Sequence, residues 1–160
     1  MRKVMAVFVL FFLWVGTAMA KSPVPGDKAP DFSIQSMDGK RISLFDFRGK
    51  VVLVGMFHIC APCRNQAIEL EKVRAKLSSD KLVVIGINTS GDSKKAVKKY
   101  LDGFPSKINF AYYLDPDMSM HKAYIQRDMP TVLIIGSDGN LLARTPSVGS
   151  DQLIPYLKKY

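Results

Sequence analysis

Val51-Val52-Leu53-Val54-Gly55-Met56-Phe57-His58-Ile59-Cys60-Ala61-Pro62-Cys63 decides the fold, because the chain changes character within it. Val51 to Val54 is a β-branched apolar run and reads as a buried strand, whereas Ala67, Leu70, Val73 and Leu77 beyond it recur at helical spacing. A strand, a tight loop and a helix start are implied, with two cysteines at the junction. Cys60 and Cys63 are the only cysteines in the chain and lie one helical turn apart. A pair so close cannot staple distant elements, which argues against a structural disulfide framework. A structural zinc site needs four ligands, and only His58 and His121 could be added to the pair. Reversible two-electron redox chemistry is the leading reading.

The loop itself assigns roles. A thiolate is the attacking species in disulfide exchange, and a helix N-terminus favours it through free backbone N–H groups and a partial positive charge. Cys60, at or before the first helical position, is the expected nucleophile. Cys63, one turn later and more buried, is expected to resolve the mixed disulfide that Cys60 forms with substrate. Pro62 suits a first helical turn, where its missing N–H has no partner to lose, and simple loop rigidity is an equal explanation of it.

At 160 residues and 48% hydrophobic content the chain suits one domain with a sizeable core. Residues 1–20 read as a separate segment: Arg2 and Lys3 precede an apolar run from Val4 to Val15, and Ala18-Met19-Ala20 fits a small-residue cleavage site. An export signal cut after Ala20 is expected, with an uncleaved anchor over residues 4–20 as the alternative, since about 17 to 25 residues span a bilayer. Export places the cysteine pair in a periplasmic or otherwise extracytoplasmic compartment, where disulfides persist.

Lys and Arg total 23 against 14 Asp and Glu, a formal charge of +9, and losing Arg2 and Lys3 leaves +7. Lys94, Lys95, Lys98 and Lys99 interleave with Ala96, Val97, Tyr100 and Leu101, an amphipathic pattern whose lysines read first as a solvated outer face. No base-stacking aromatics accompany them, so nucleic acid is not an expected partner. Attraction to an anionic surface or an acidic partner stays open.

Residues 21–28, with Pro23, Pro25 and Gly26, read as an irregular lead-in, and the domain is expected over residues 29–160. Met37-Asp38-Gly39-Lys40 reads as a hairpin turn, Leu82 to Ile87 as a buried strand, and Asp92 or Ser93 as the cap of the lysine-rich helix. Pro130 opens a strand from Thr131 to Ile135, Gly136 to Asn140 turns it antiparallel onto Leu141 to Arg144, and residues 151–160 suggest a covering helix. Alternating strands and helices in the middle imply parallel pairing with right-handed crossovers.

This order resembles the thioredoxin fold. Gly26-Asp27-Lys28-Ala29-Pro30-Asp31-Phe32, Asp38-Gly39-Lys40, Leu114-Asp115-Pro116-Asp117, Lys122-Ala123-Tyr124, Met129-Pro130-Thr131 and Ser137-Asp138-Gly139 narrow the resemblance to exported TlpA/ResA-like thiol-disulfide oxidoreductases, over essentially the whole chain after residue 20. It implies an α/β thioredoxin-like fold: a central mixed sheet flanked by helices, an N-terminal β-hairpin extension and an inserted helix. It further implies that Pro130 is cis against the redox pair and that Met129 and Pro130 border the substrate groove. By the same resemblance the protein reduces disulfides of exported proteins, such as apocytochrome c cysteine pairs, and receives electrons from a membrane-linked thiol donor. A monomer is expected, with no metal and no cofactor beyond the Cys60–Cys63 disulfide.

Departures from the family pattern are equally specific. Ile59 stands where Trp is usual, with one residue fewer than expected between strand and Cys60. Val54 and Gly55 stand where thioredoxins often carry a buried acid, Gln66 replaces a common Glu, and Ile68 replaces a kinking proline. A neutral amide cannot accept a proton, so Cys63 needs another route to activation. His58 is the one candidate to compensate, against a bland alternative in which it faces solvent or a carbonyl. His121 and Arg64 read as solvated side chains. Two other functions remain open: a peroxidase, since Ala29 to Phe32 also resembles peroxiredoxins, and copper or zinc handling by Cys60, Cys63 and His58. Against the peroxidase, Phe57 stands three before Cys60, where those proteins place Thr or Ser.

Overall fold

The computed structural model describes residues 21–77 and 80–160. The export signal or anchor expected within residues 1–20 lies outside the described residues. Among those described, no helix is long and apolar enough to cross a membrane.

Seven strands form one sheet: β1 (Ser33–Ser36), β2 (Arg41–Ser43), β3 (Val51–Phe57), β4 (Leu82–Asn88), β5 (Ala111–Leu114), β6 (Thr131–Ile135) and β7 (Leu141–Thr145), in the spatial order β2-β1-β5-β4-β3-β6-β7. β3, β4 and β5 are parallel neighbours, as crossover helices require, and the outer pairings are antiparallel. The helices are α1 (Ala61–Lys76), α2 (Lys94–Asp102), α3 (Ser119–Ala123) and α4 (Ser150–Leu157). This is the thioredoxin fold with the expected hairpin, β1–β2, and an inserted helix, α2, between β4 and β5. The Asp38-Gly39 turn closes the hairpin, with Gly39 at φ 95, and Ser93 caps α2 by accepting the Ala96 N–H.

β3 is buried over its whole length and feeds two core layers by strand alternation. Val51, Leu53 and Phe57 pack with Cys63, Leu70 and Val73 of α1, Val97 of α2, and Leu153 and Leu157 of α4. Val52, Val54 and Met56 pack on the opposite face with Ile34, Ile85, Ile87 and, around α3, Met120 and Tyr124. The C-terminal end of β3 thus points straight at the start of α1, which places the cysteines.

Residues 21–28 form no named strand or helix, yet the end of this lead-in is held in place. Gly26 N–H donates to Leu141 O at 2.8 Å, Ala29 N–H to Gly139 O at 3.1 Å, and Leu141 N–H to Asp27 O at 2.9 Å, while Lys28 pairs with Asn140. Residues 26–29 are therefore clamped onto the β6–β7 hairpin. Pro and Gly mark irregular backbone, but they do not report that its N–H groups find partners far along the chain.

Candidate active site

Cys60 is the N-cap of α1, with extended backbone at φ −152 and ψ 160, and its sulfur accepts the Cys63 N–H at 3.2 Å. Its carbonyl accepts the Arg64 N–H at 3.1 Å, the first bond of the helix. Pro62 lies in the first turn, where no N–H is needed. Cys60 is half-buried and Cys63 has 0% exposure; both are free thiols in this structure. The Cys63 sulfur accepts the backbone N–H of His58 at 3.3 Å. Burial, and then the hydrogen bond to the Cys60 sulfur, push the Cys63 thiol up to about 12. One sulfur is reachable and held by a helix start, and the other keeps its proton beneath it.

A second ring of contacts fixes the pair. The Tyr100 hydroxyl of α2 donates to the Cys60 carbonyl at 2.7 Å, and its ring meets Phe104 edge-on at 5.0 Å. Gln126, almost fully buried, donates to Met56 O, Asp128 O and the Met129 sulfur at 3.3, 3.3 and 3.2 Å, and accepts the Thr89 hydroxyl at 2.6 Å. It ties the end of β3 to the Met129-Pro130 bond, which is cis. Neither Tyr100 nor Gln126 was singled out from sequence. Tyr100 carried a faint signal, a hydroxyl on the boundary between the apolar and lysine faces of α2, whereas Gln126 carried none.

Pro62, Gln66, Met129 and Pro130 line one groove of about 430 Å³ with Pro146 to Val148. The structure thus brings four of the residues singled out from sequence into one groove next to the cysteine loop. Gln66 is buried and exchanges two hydrogen bonds with Val148, donating to its carbonyl and accepting its N–H, both at 2.9 Å. The residue that replaces a family Glu is a clamp on the loop before α4.

The missing buried acid has a steric cause. Gly55, not Val54, is the position on the Cys63 face of β3, and a Cβ there would stand 2.1 Å from Phe57 Cζ. The Phe57 ring fills that space and stacks on Tyr112 at 6.1 Å.

His58 and His121 each bury part of the ring. His58 is half-buried, and its Nε2 is buried without a hydrogen-bond partner, as is His121 Nδ1. Burial lowers the His58 pKa, Asp92 partly opposes this, and His121 adds to it. A neutral imidazole cannot supply the cation that would hold a thiolate. His121 is half-buried on α3, with its Nδ1 out of contact with solvent. Among the described residues, no group of three or more His, Cys, Asp or Glu side chains is placed to hold a metal ion.

The sequence matches the AhpC/TSA family over residues 25–144, most of the chain. The chain belongs to that family. It is 27% identical over 130 residues to the thiol-disulfide oxidoreductase ResA of Bacillus subtilis, covering 81% of this chain and 71% of that protein. The thioredoxin-like protein YneN of the same organism is 33% identical over 117 residues, 71% of this chain and 66% of that one. The solved thioredoxin domain of a thiol-disulfide oxidoreductase from Bacteroides vulgatus superposes with a TM-score of 0.75, covering 86% of this chain and 98% of that domain at 23% identity. The chain is a thioredoxin-fold member of the family, similar to thiol-disulfide oxidoreductases of the ResA type.

Proposed function

We propose that this protein is an exported thiol-disulfide oxidoreductase that reduces disulfides in other exported proteins. The observation that carries the reading is the division of labour in the pair: Cys60 half-buried at the α1 N-cap, and Cys63 buried behind it with its thiol pushed up to about 12. The Cys60 thiolate attacks one sulfur of a substrate disulfide, forming a mixed disulfide and releasing the first substrate thiolate. Cys63 then gives up its proton and attacks the Cys60 sulfur, so the second substrate thiolate leaves and the protein holds the Cys60–Cys63 disulfide. Two electrons pass to the substrate, and a membrane-linked thiol donor returns them.

Met129 and Pro130 border the groove where an extended substrate would lie, and Pro62 and Gln66 line it with them. Cysteine pairs of apocytochrome c are the substrate class that the family resemblance supports, which would place the protein in cytochrome c biogenesis. Ala61-Pro62 adds no imidazole to favour the thiolate, which supports a reductant over a strong oxidant. Phe57, three residues before Cys60, offers no hydroxyl for a peroxide and weighs against a peroxidase.

The test is trapping with Cys63→Ala in the native exported compartment. Adducts that need Cys60 and vanish on reduction are expected, and they name the substrates. Absence of adducts with trapping verified overturns the dithiol mechanism.

A further inference from the structure

Helix α2 carries its side chains in four rows at i, i+4 spacing. Val97 and Leu101 form the row turned into the core, and Ala96 and Tyr100 form the next, which reaches Cys60 through the Tyr100 hydroxyl at 2.7 Å. Lys95 and Lys99 follow, both exposed. Lys94, Lys98 and Asp102 complete the circuit. In that last row Lys98 pairs with Asp102 at 2.7 Å, and Lys94 acts electrostatically on Asp38 of the β1–β2 turn. Lys95 and Lys99 have no ion-pair partner among the described residues. Lys94 makes no ion pair among them either, but its row lies beyond Lys95 and Lys99 on the helix surface, so the row adjoining the residue that touches the nucleophile consists of two exposed, unpaired cations. Like charges at i, i+4 cost a helix about 0.2–0.5 kcal/mol, so the row is not there for helix stability. Arg64, one residue beyond Cys63, acts on Tyr100 from the α1 side, and Ile59, 41% exposed, adds an apolar contact beside Cys60.

We propose that Lys95, Lys99 and Arg64, with Ile59, form a docking rim that selects disulfide substrates carrying acidic residues beside the reacting cysteine. This rests on the oxidoreductase reading above and adds its substrate specificity. Charge complementarity chooses the occupant: Arg64 follows Cys63 directly and the Lys95–Lys99 row adjoins Tyr100, and cations on the surface near a reactive site steer acidic segments to it and raise their encounter rate. Tyr100 makes the arrangement rigid, because the helix that bears the lysines is hydrogen-bonded to the backbone of the nucleophile itself.

The test uses pre-reduced protein in single turnover, so that its own dithiol supplies both electrons, against two synthetic disulfide peptides. One carries Asp and Glu next to its cysteines and the other Asn and Gln. At about 20 mM salt the acidic peptide is expected to react about tenfold faster, and the ratio is expected to shrink above about 0.5 M, where charges are screened beyond about 4 Å. Lys95→Gln with Lys99→Gln is expected to cut the ratio several-fold, while Lys158→Gln with Lys159→Gln at the chain end leaves it as in the parent. A ratio near one in the parent, or one indifferent to salt or to the α2 substitutions, overturns the rim and leaves the oxidoreductase standing. Binding of the parent, but not the α2 variant, to phosphatidylglycerol vesicles with no peptide preference assigns the lysines to a membrane surface and also overturns it. If neither peptide is reduced, the oxidoreductase reading falls as well.

Discussion

The ring of Phe57 occupies the space that a side chain on Gly55 would need: a Cβ there would stand 2.1 Å from Phe57 Cζ and 2.9 Å from Leu70 Cδ1. Both positions lie on the Cys63 face of β3, and the parallel register sets Gly55 beside Gly86 of β4, itself crowded by Phe110 and Tyr112. Two glycines thus make a flat floor for the stacked Phe57 and Tyr112 rings beneath α1. An apolar, close-packed underside replaces the buried acid of other thioredoxins.

Gly55→Ala should therefore destabilise the protein by about 2–3 kcal/mol, the cost of overpacking a filled core. The severest clash is with the Phe57 ring, and Leu70 Cδ1 is the movable end of a side chain, so Gly55→Ala combined with Phe57→Ala should lose at least about 1 kcal/mol less than the two single losses added. Urea unfolding of the four proteins measures this. Additive losses would show that the ring is not what excludes the methyl.

The Cys63 thiol, pushed up to about 12 chiefly by burial, makes stability depend on pH in a defined window. In the unfolded chain Cys63 ionises near its ordinary value of 9.0, whereas the folded protein holds the proton to higher pH. The contribution is thus complete below pH 9 and is lost as pH rises toward 12. Reduced protein should lose on the order of 2 kcal/mol more than Cys63→Ala between about pH 9 and 11. Taking the difference cancels the tyrosines and lysines that titrate in the same range. Parallel curves would mean that the buried thiol ionises as easily as a free one.

His58 titrates the opposite way. Its pKa is lowered by burial, with Asp92 of the β4–α2 loop raising it and His121 of α3 lowering it. The unfolded chain takes up the proton near the ordinary value of 6.5 and the folded one only below it, so His58 costs stability as pH falls through that range. The His58 Cε1 proton should titrate with a midpoint below 6.5, and His58→Phe should flatten the acid limb of the stability curve. A midpoint above 6.5 would contradict the effect of burial, and one above about 7 would make His58 largely a cation at neutral pH and reopen its role beside the thiolate.

What was legible in the sequence follows the reach of its signals. Strand β3, helix α1 and the turn at Asp38-Gly39 announce themselves locally, through period and turn chemistry. The redox pair is a spacing, and spacing survives folding. Tyr100 and Gln126 act through partners 40 and 70 residues away, at Cys60 and Met56, and no local pattern encodes such a pairing. The buried ring nitrogens of the two histidines, His58 Nε2 and His121 Nδ1, are set in the same way by what surrounds them in space, which no local pattern reports.

Gln66 offers the sharpest contrast between the family pattern and this chain. Its amide N–H donates to Val148 O while its amide oxygen accepts Val148 N–H, both at 2.9 Å, so one buried side chain satisfies both polar groups of one residue. Gln66→Glu keeps the shape and the acceptor but removes the donor whenever the carboxyl is ionised, leaving the Val148 carbonyl facing a buried negative charge. Burial then raises the pKa of the new carboxyl above its ordinary value of about 4.3. For an acid raised in the folded state, stability is full below the unfolded pKa and falls as pH rises through the folded one. Below about pH 4.5 the protonated Glu can donate as the amide does, and the variant should unfold within about 0.5 kcal/mol of the parent; at about pH 8 it should be weaker by about 2 kcal/mol. Urea midpoints at the two pH values decide it. An equal loss at both would mean that Val148 moves away and rebuilds its bonds elsewhere, so that the amide is not the clamp on the loop before α4.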